Sequence, residues 1–111
     1  MRTVMNAKDD MTSTRQTFHK ALMLLDRGST ARGEALLRDV IGEAEARQDD
    51  VALVQGMVCL GELLCATGRA DEARPLLERA LAIRRDDDGV AVELQRARAL
   101  LSGRGGRLRD A

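Results

Sequence analysis

Shifting the sequence against itself by 40 positions lays small residues on small ones and large apolar residues on large apolar ones. Ala21 falls on Gly61, Leu24 on Leu64 and Gly28 on Gly68. Gly33 falls on Ala73, Leu36 and Leu37 on Leu76 and Leu77, and Ile41 on Leu81. A period of this length marks a repeated supersecondary unit, which cannot bury its apolar face alone and must stack on its neighbours. The chain is therefore constrained to a stack of small equivalent units rather than one wrapped core.

Each unit reads as two helices around a tight turn. Leu36, Leu37, Val40, Ile41 and Ala44 recur along one helical face, as do Ala73, Leu76, Leu77, Ala80 and Leu81. Gly28 and Gly68 stand where a helix must end, because glycine takes the left-handed conformation without a Cβ penalty. Ser29 is placed to cap the next helix. Asp71 and Glu72 suit the positive N-terminal end of a helix, Arg84 and Arg85 its C-terminal end, and Pro75 requires a start close to residue 71. The spacing predicts helices over residues 12–27, 30–47, 50–67, 71–85 and 89–102. Residues 1–10 read as a frayed, flexible N-terminus, 11–102 as the repeat domain and 103–111 as a flexible Arg/Gly tail. Composition agrees: Leu, Ala and Arg are the commonest residues, and all favour helix. The fold class is all-α.

The third helix differs from the rest. Val51, Val54, Val58, Leu60, Leu63, Leu64 and Cys65 spread apolar surface nearly all the way round it, so neighbours must cover it on several sides. Its polar exceptions, Gln48, Gln55 and Glu62, sit seven apart and form one narrow stripe. The fifth helix has one apolar face, Val90, Leu94, Ala97 and Leu101, and reads as a cap. A further full unit fails, because Leu64 and Gly68 carried forward by 40 land on Arg104 and Leu108. Two units and a cap make a short array, and self-association or a partner would relieve its exposed faces.

Leu60-Gly61, Leu64, Gly68, Ala73, Leu77 and Ala80-Leu81 fall in order on the pattern of the tetratricopeptide repeat, which this chain resembles. The stretch from Gly68 through Arg74 looks like the bacterial and kinesin-light-chain-like branch, whose units are longer than usual. In the first unit Ala21, Leu24, Gly28, Leu37 and Val40 fit, whereas Lys20 and Gly33 depart from the pattern. The resemblance implies a short helical solenoid whose first helix in each unit lines a concave surface that binds peptides. Carried over residue by residue, it puts Arg15, Phe18, His19 and Leu22 on that surface, with Gln55, Val58, Cys59, Glu62 and Cys65 from the third helix. The basic and asparagine pattern with which family members clamp a C-terminal carboxylate is not recognisable.

Composition narrows the function classes further. The chain carries 18 cations against 18 anions, which gives no long-range pull toward nucleic acid or an acidic membrane. Phe18 is the only aromatic residue, so bases have almost no stacking platform, and three tail arginines, Arg104, Arg107 and Arg109, are partly cancelled by Asp110 and the terminal carboxylate. No run is long enough to span a membrane and residues 1–11 contain no apolar signal core, which predicts a cytoplasmic protein. Cys59 and Cys65 lie six apart on one helix, pointing about 240° apart, and cannot form a disulfide. His19 and Cys59 occupy equivalent positions, but a Cys–His pair needs an orienting group and an oxyanion donor, and neither is legible. Ligands are too few for a closed zinc site, and Asp86-Asp87-Asp88 is a charged loop rather than a cation site. The expectation is a non-enzyme without cofactor or metal, an adaptor, scaffold or assembly factor that binds a protein partner. A structural homo-oligomer, or a regulatory subunit of an enzyme or transcription factor, are the competing readings.

Overall fold

The computed structural model describes residues 7–83 and 89–103, with side chains described from residue 13. Among the described residues five helices follow one another: α1 (Ala7–Asp26), α2 (Thr30–Arg47), α3 (Asp50–Ala66), α4 (Ala70–Ala82) and α5 (Ala91–Leu101). No strand occurs among the described residues, as the sequence predicts.

Helix ends are where expectation and structure separate. The α1 helix starts at Ala7, so residues 7–10 are helical rather than frayed. The α4 helix stops at Ala82, where Ile83 turns extended (ψ 124°), and Pro75 sits in its second turn rather than its first. Arg84, Arg85, the Asp86–Asp88 run and the tail beyond Gly103 lie outside the described residues. Ser29 precedes α2 but its side chain makes no capping hydrogen bond. Its backbone does the work instead: the Ser29 N–H donates to Leu24 O at 2.8 Å, and its carbonyl accepts from Gly33 N at 2.9 Å. The side-chain cap that does form is Asp49, which accepts from Ala52 N at 3.1 Å at the start of α3.

The forty-residue echo is written into the turns. Arg69 N donates to Leu64 O at 2.7 Å and Gly68 N to Cys65 O at 3.2 Å, repeating Ser29 N to Leu24 O and Gly28 N to Leu25 O. These are Schellman closures, in which the glycine at the left-handed position lets two N–H groups reach back to the last turn. Gly28 and Gly68 accordingly have φ of 86° and 80°. A third closure falls midway between them. Gln48, at φ 57°, is the C-cap of α2, and Asp49 N donates to Ala44 O at 2.9 Å. Gln48 therefore belongs to the turn before α3 and not to that helix's polar stripe.

Each helix packs on its neighbour in the chain, and α3 touches all four others. The core follows from that placement: Ala21, Leu37, Val40, Ala44, Val54, Met57, Leu60, Leu64, Ala73, Leu77 and Ala80 are fully or almost fully buried. Close approach is bought with glycine where two helices cross. A Cβ at Gly33 would lie 2.5 Å from Leu25 Cδ2, and one at Gly56 would lie 3.1 Å from Ile41 Cγ1. The departure of Gly33 from the repeat pattern thus has a local cause: in the first unit Leu25 occupies the space an alanine methyl would need.

Polar contacts also join α2 and α4, which do not pack directly. Arg69, at the head of α4, grips Glu34 of α2 through two nitrogens at 2.8 and 3.1 Å and Glu72 through two at 2.9 and 2.8 Å. Arg38 closes on the same Glu34 at 2.8 Å, and Arg79 reaches Glu45 at 2.5 Å. Near the other end, the buried Thr14 hydroxyl accepts from Arg47, tying α1 to the end of α2.

Candidate functional site

On α3 the exposed sector is narrow. Gln55, Cys59 and Glu62 lie within about 60° of one another on the helical wheel and are all half-buried, while the opposite sector is core. The Glu62 end of that stripe faces α5. Glu62 forms an ion pair with Arg96 at 2.7 Å, with both side chains about half exposed (45% and 51%). Between the two helices runs an open cleft of about 370 Å³, lined by Glu62, Val92, Gln95, Arg96, Ala99 and Leu100. Val92, 66% exposed, is the largest apolar surface in it.

The residues expected on the binding surface divide into three groups. Arg15, His19 and Leu22 are exposed on α1, and Gln55, Cys59 and Glu62 occupy the α3 stripe. Phe18 is half-buried and packs against the core, so it is as much a structural residue as an exposed one. Val58 and Cys65 do not belong to the stripe. Val58 is 3% exposed and sits in the core, because a step of three from Gln55 rotates it about 60° toward the buried sector. Cys65 instead borders a separate recess of about 400 Å³ with Gly68, Ala70, Arg74, Leu100 and Leu101.

Gln95 and Ala99 were missed. The signal was present, since Gln55 and Cys59 carried forward by another 40 residues give Gln95 and Ala99. The failure of Leu64 and Gly68 to carry forward concealed it, although α5 keeps the register of α3 on its buried face too, with Leu94, Ala97 and Leu100 in the places of Val54, Met57 and Leu60.

Electrostatics at the stripe oppose nucleophilic chemistry. Burial pushes the Cys59 thiol up to about 11, and the negative charge of Glu62 adds to this while Arg96 partly offsets it. Cys65 is raised in the same way, by burial first and Glu62 second. A thiol so protonated is a small apolar side chain at neutral pH. Among the described residues no three His, Cys, Asp or Glu side chains converge as a metal site, and no helix is long and apolar enough to cross a membrane.

Glu34 behaves differently. Hydrogen bonds from Arg69 and Arg38 hold its carboxyl below the usual range, and Arg69 does the same to Glu72. This network lies on the α2–α4 side, away from the cleft, and its arrangement is that of a brace between helices. Comparison with known protein families, characterised proteins and solved structures finds no match for the chain.

Proposed function

We propose that the chain is a short tetratricopeptide-like helical solenoid that acts as a non-catalytic protein–protein interaction module in the cytoplasm. Its role is that of an adaptor, scaffold or assembly factor, and its binding surface is the side on which α1, α3 and α5 present Arg15, His19, Leu22, Gln55, Cys59, Glu62, Gln95 and Ala99. The observation that carries the reading is the cleft between α3 and α5. It joins an exposed valine to a polar pair, Glu62 and Arg96, whose charges stay half-solvated and accessible to a partner's backbone or side chains. An extended peptide or a single helix fits such a cleft better than a small substrate does, because it is open and, among the described residues, lined by no buried unpartnered polar side chain.

The test is affinity capture from native cell extract with the unaltered chain and with the double variant Leu22→Glu, Glu62→Lys. Both positions are substantially exposed, so the variant should keep its helical circular dichroism. A partner held by the unaltered chain and lost by the folded variant supports the reading. A partner held equally by both removes it.

A further inference from the structure

The forty-residue shift also maps the faces by which one helix covers another. On α3, Gly56 and Leu60 stand one turn apart and are buried, and a Cβ at Gly56 would meet Ile41 at 3.1 Å and Val40 at 3.2 Å. That is the face on which α2 sits. The equivalent positions on α1 are Gln16 and Lys20, both exposed, with Met23 (47% exposed) where α3 has Leu63. No described helix covers them. Together with Arg15 and His19 they border an open shelf of about 450 Å³.

Charge on this shelf is one-sided. Residues 11–25 contain no Asp or Glu, and Arg15, His19 and Lys20 have no ion-pair partner among the described residues. Arg38, Arg69, Arg79 and Arg96 are each matched by a carboxylate, whereas Arg27, Arg32, Arg74 and Arg98, like the shelf cations, have none among the described residues. What marks the shelf is that no carboxylate lines it. A purely apolar helix laid on this face would strand the Lys20 ammonium, and burying an unpaired charge is strongly unfavourable. An occupant must therefore bring carboxylates beside its apolar side chains. A second copy of the chain does not offer such an element. Among the described residues its exposed large apolar side chains are Leu22 and Met23, on this same helix, and Val92.

We infer that the Gln16–Lys20–Met23 face of α1 is a docking site for an acidic amphipathic helix of a partner protein, seated as α2 is seated on α3. The face shares Arg15 and His19 with the surface of the proposed function, but Gln16, Lys20 and Met23 lie outside it, so changes at Lys20 and at Glu62 separate the two readings. Ridges-into-grooves packing supplies the fit, Met23 the apolar anchor, and Arg15 and Lys20 the charge selection.

The probes are three stapled helices of about 18 residues, long enough to run alongside α1. The first carries a leucine stripe flanked by glutamates, the second the same stripe flanked by lysines, and the third the glutamates with the stripe changed to serine. Fluorescence anisotropy with the full chain should rank the first at least about tenfold tighter than either of the others, with the difference shrinking as salt rises. Its binding should move the Met23 methyl resonance and leave Val92 in place. Lys20→Glu, an exposed change that keeps the helical spectrum, should weaken it at least about tenfold, whereas Glu62→Lys should not. Equal binding of all three helices, no binding of the glutamate helix, or perturbation at Val92 instead of Met23 would overturn the inference. So would a reversible dimer in sedimentation that Lys20→Glu abolishes, since the occupant would then be a second copy.

Discussion

Gly61 and Leu77 share a space that holds only one side chain: a Cβ at position 61 would stand 2.6 Å from Leu77 Cδ2 and 2.9 Å from its Cγ. This contact sets how closely α3 and α4 cross, and with it the angle at which the second hairpin closes. Gly61→Leu should destabilise by about 1–3 kcal/mol or more through overpacking. Glu62→Ala, next in sequence but half-solvated in its pair with Arg96, should stay within about 1 kcal/mol. Denaturant titration of both variants, and of Gly61→Leu combined with Leu77→Ala, checks this. The double variant should lose less than the two single losses added together, because the vacated leucine leaves room. Equal losses for Gly61→Leu and Glu62→Ala would mean that α3 is rotated from the orientation described.

The three Schellman turns make opposite predictions from the same geometry. Gly28 and Gly68 have open space around a Cβ, so Gly28→Ala and Gly68→Ala should destabilise through backbone conformation alone, by about 1–2 kcal/mol each. Gln48 holds the same left-handed conformation with a side chain attached. Gln48→Gly should therefore stabilise by up to about 1 kcal/mol, read as a rise in the thermal midpoint. A lower midpoint for Gln48→Gly would show that its side chain contributes a contact larger than the strain it carries.

Acid should unpick the α2–α4 brace. Glu34 and Glu72 have folded-state values below their ordinary ones, so the unfolded chain takes up protons first as the pH falls. Their contribution is present above the usual carboxylate range and is lost as pH drops through the depressed values. Thermal midpoints followed from about pH 6 to about pH 3 should fall, and Glu34→Gln should fall less steeply while starting lower. Parallel curves for the two proteins would deny Glu34 that role.

Thiol chemistry reports on the α3 stripe. With Cys59 raised to about 11, on the order of one thiol in a thousand is ionised at about pH 8, and a disulfide reagent should label it slowly. Glu62→Gln removes a charge that raises the Cys59 value and leaves Arg96, which lowers it, so labelling of Cys59 should accelerate in that variant. Mass spectrometry of the labelled peptides distinguishes Cys59 from Cys65. Unchanged labelling would mean that Glu62 does not act on the thiol.

The parts of this structure legible in the sequence are those that repeat. The paired glycines, the leucines and the small residues recur at a fixed spacing because two hairpins solve the same packing problem, and the helix spans followed from them. What did not repeat was misread. Lys20 looked like a flaw in the first unit, but its α3 counterpart Leu60 is buried at a helix contact that α1 lacks. Gln48 fell on a spacing of seven with Gln55 and Glu62, yet it ends one helix while they belong to the next. Val58 was placed on the binding surface by a family pattern, although its angle from Gln55 turns it into the core. The ion pairs from Arg69, Arg79 and Arg96 to Glu34, Glu45 and Glu62 depend on which helices come to lie side by side, and local spacing carries no record of that.

Site-specific photo-crosslinking in the native cell tests whether the side formed by α1, α3 and α5 receives a protein partner. A photoreactive side chain is placed singly at Arg15, Gln55 or Gln95 on that side, and at Asp39 or Glu78 on the exposed outer faces of α2 and α4. The first three positions should yield adducts with one and the same protein, and the last two should yield none. Adducts formed from Asp39 and Glu78 but absent from Arg15, Gln55 and Gln95 would contradict that placement of the partner.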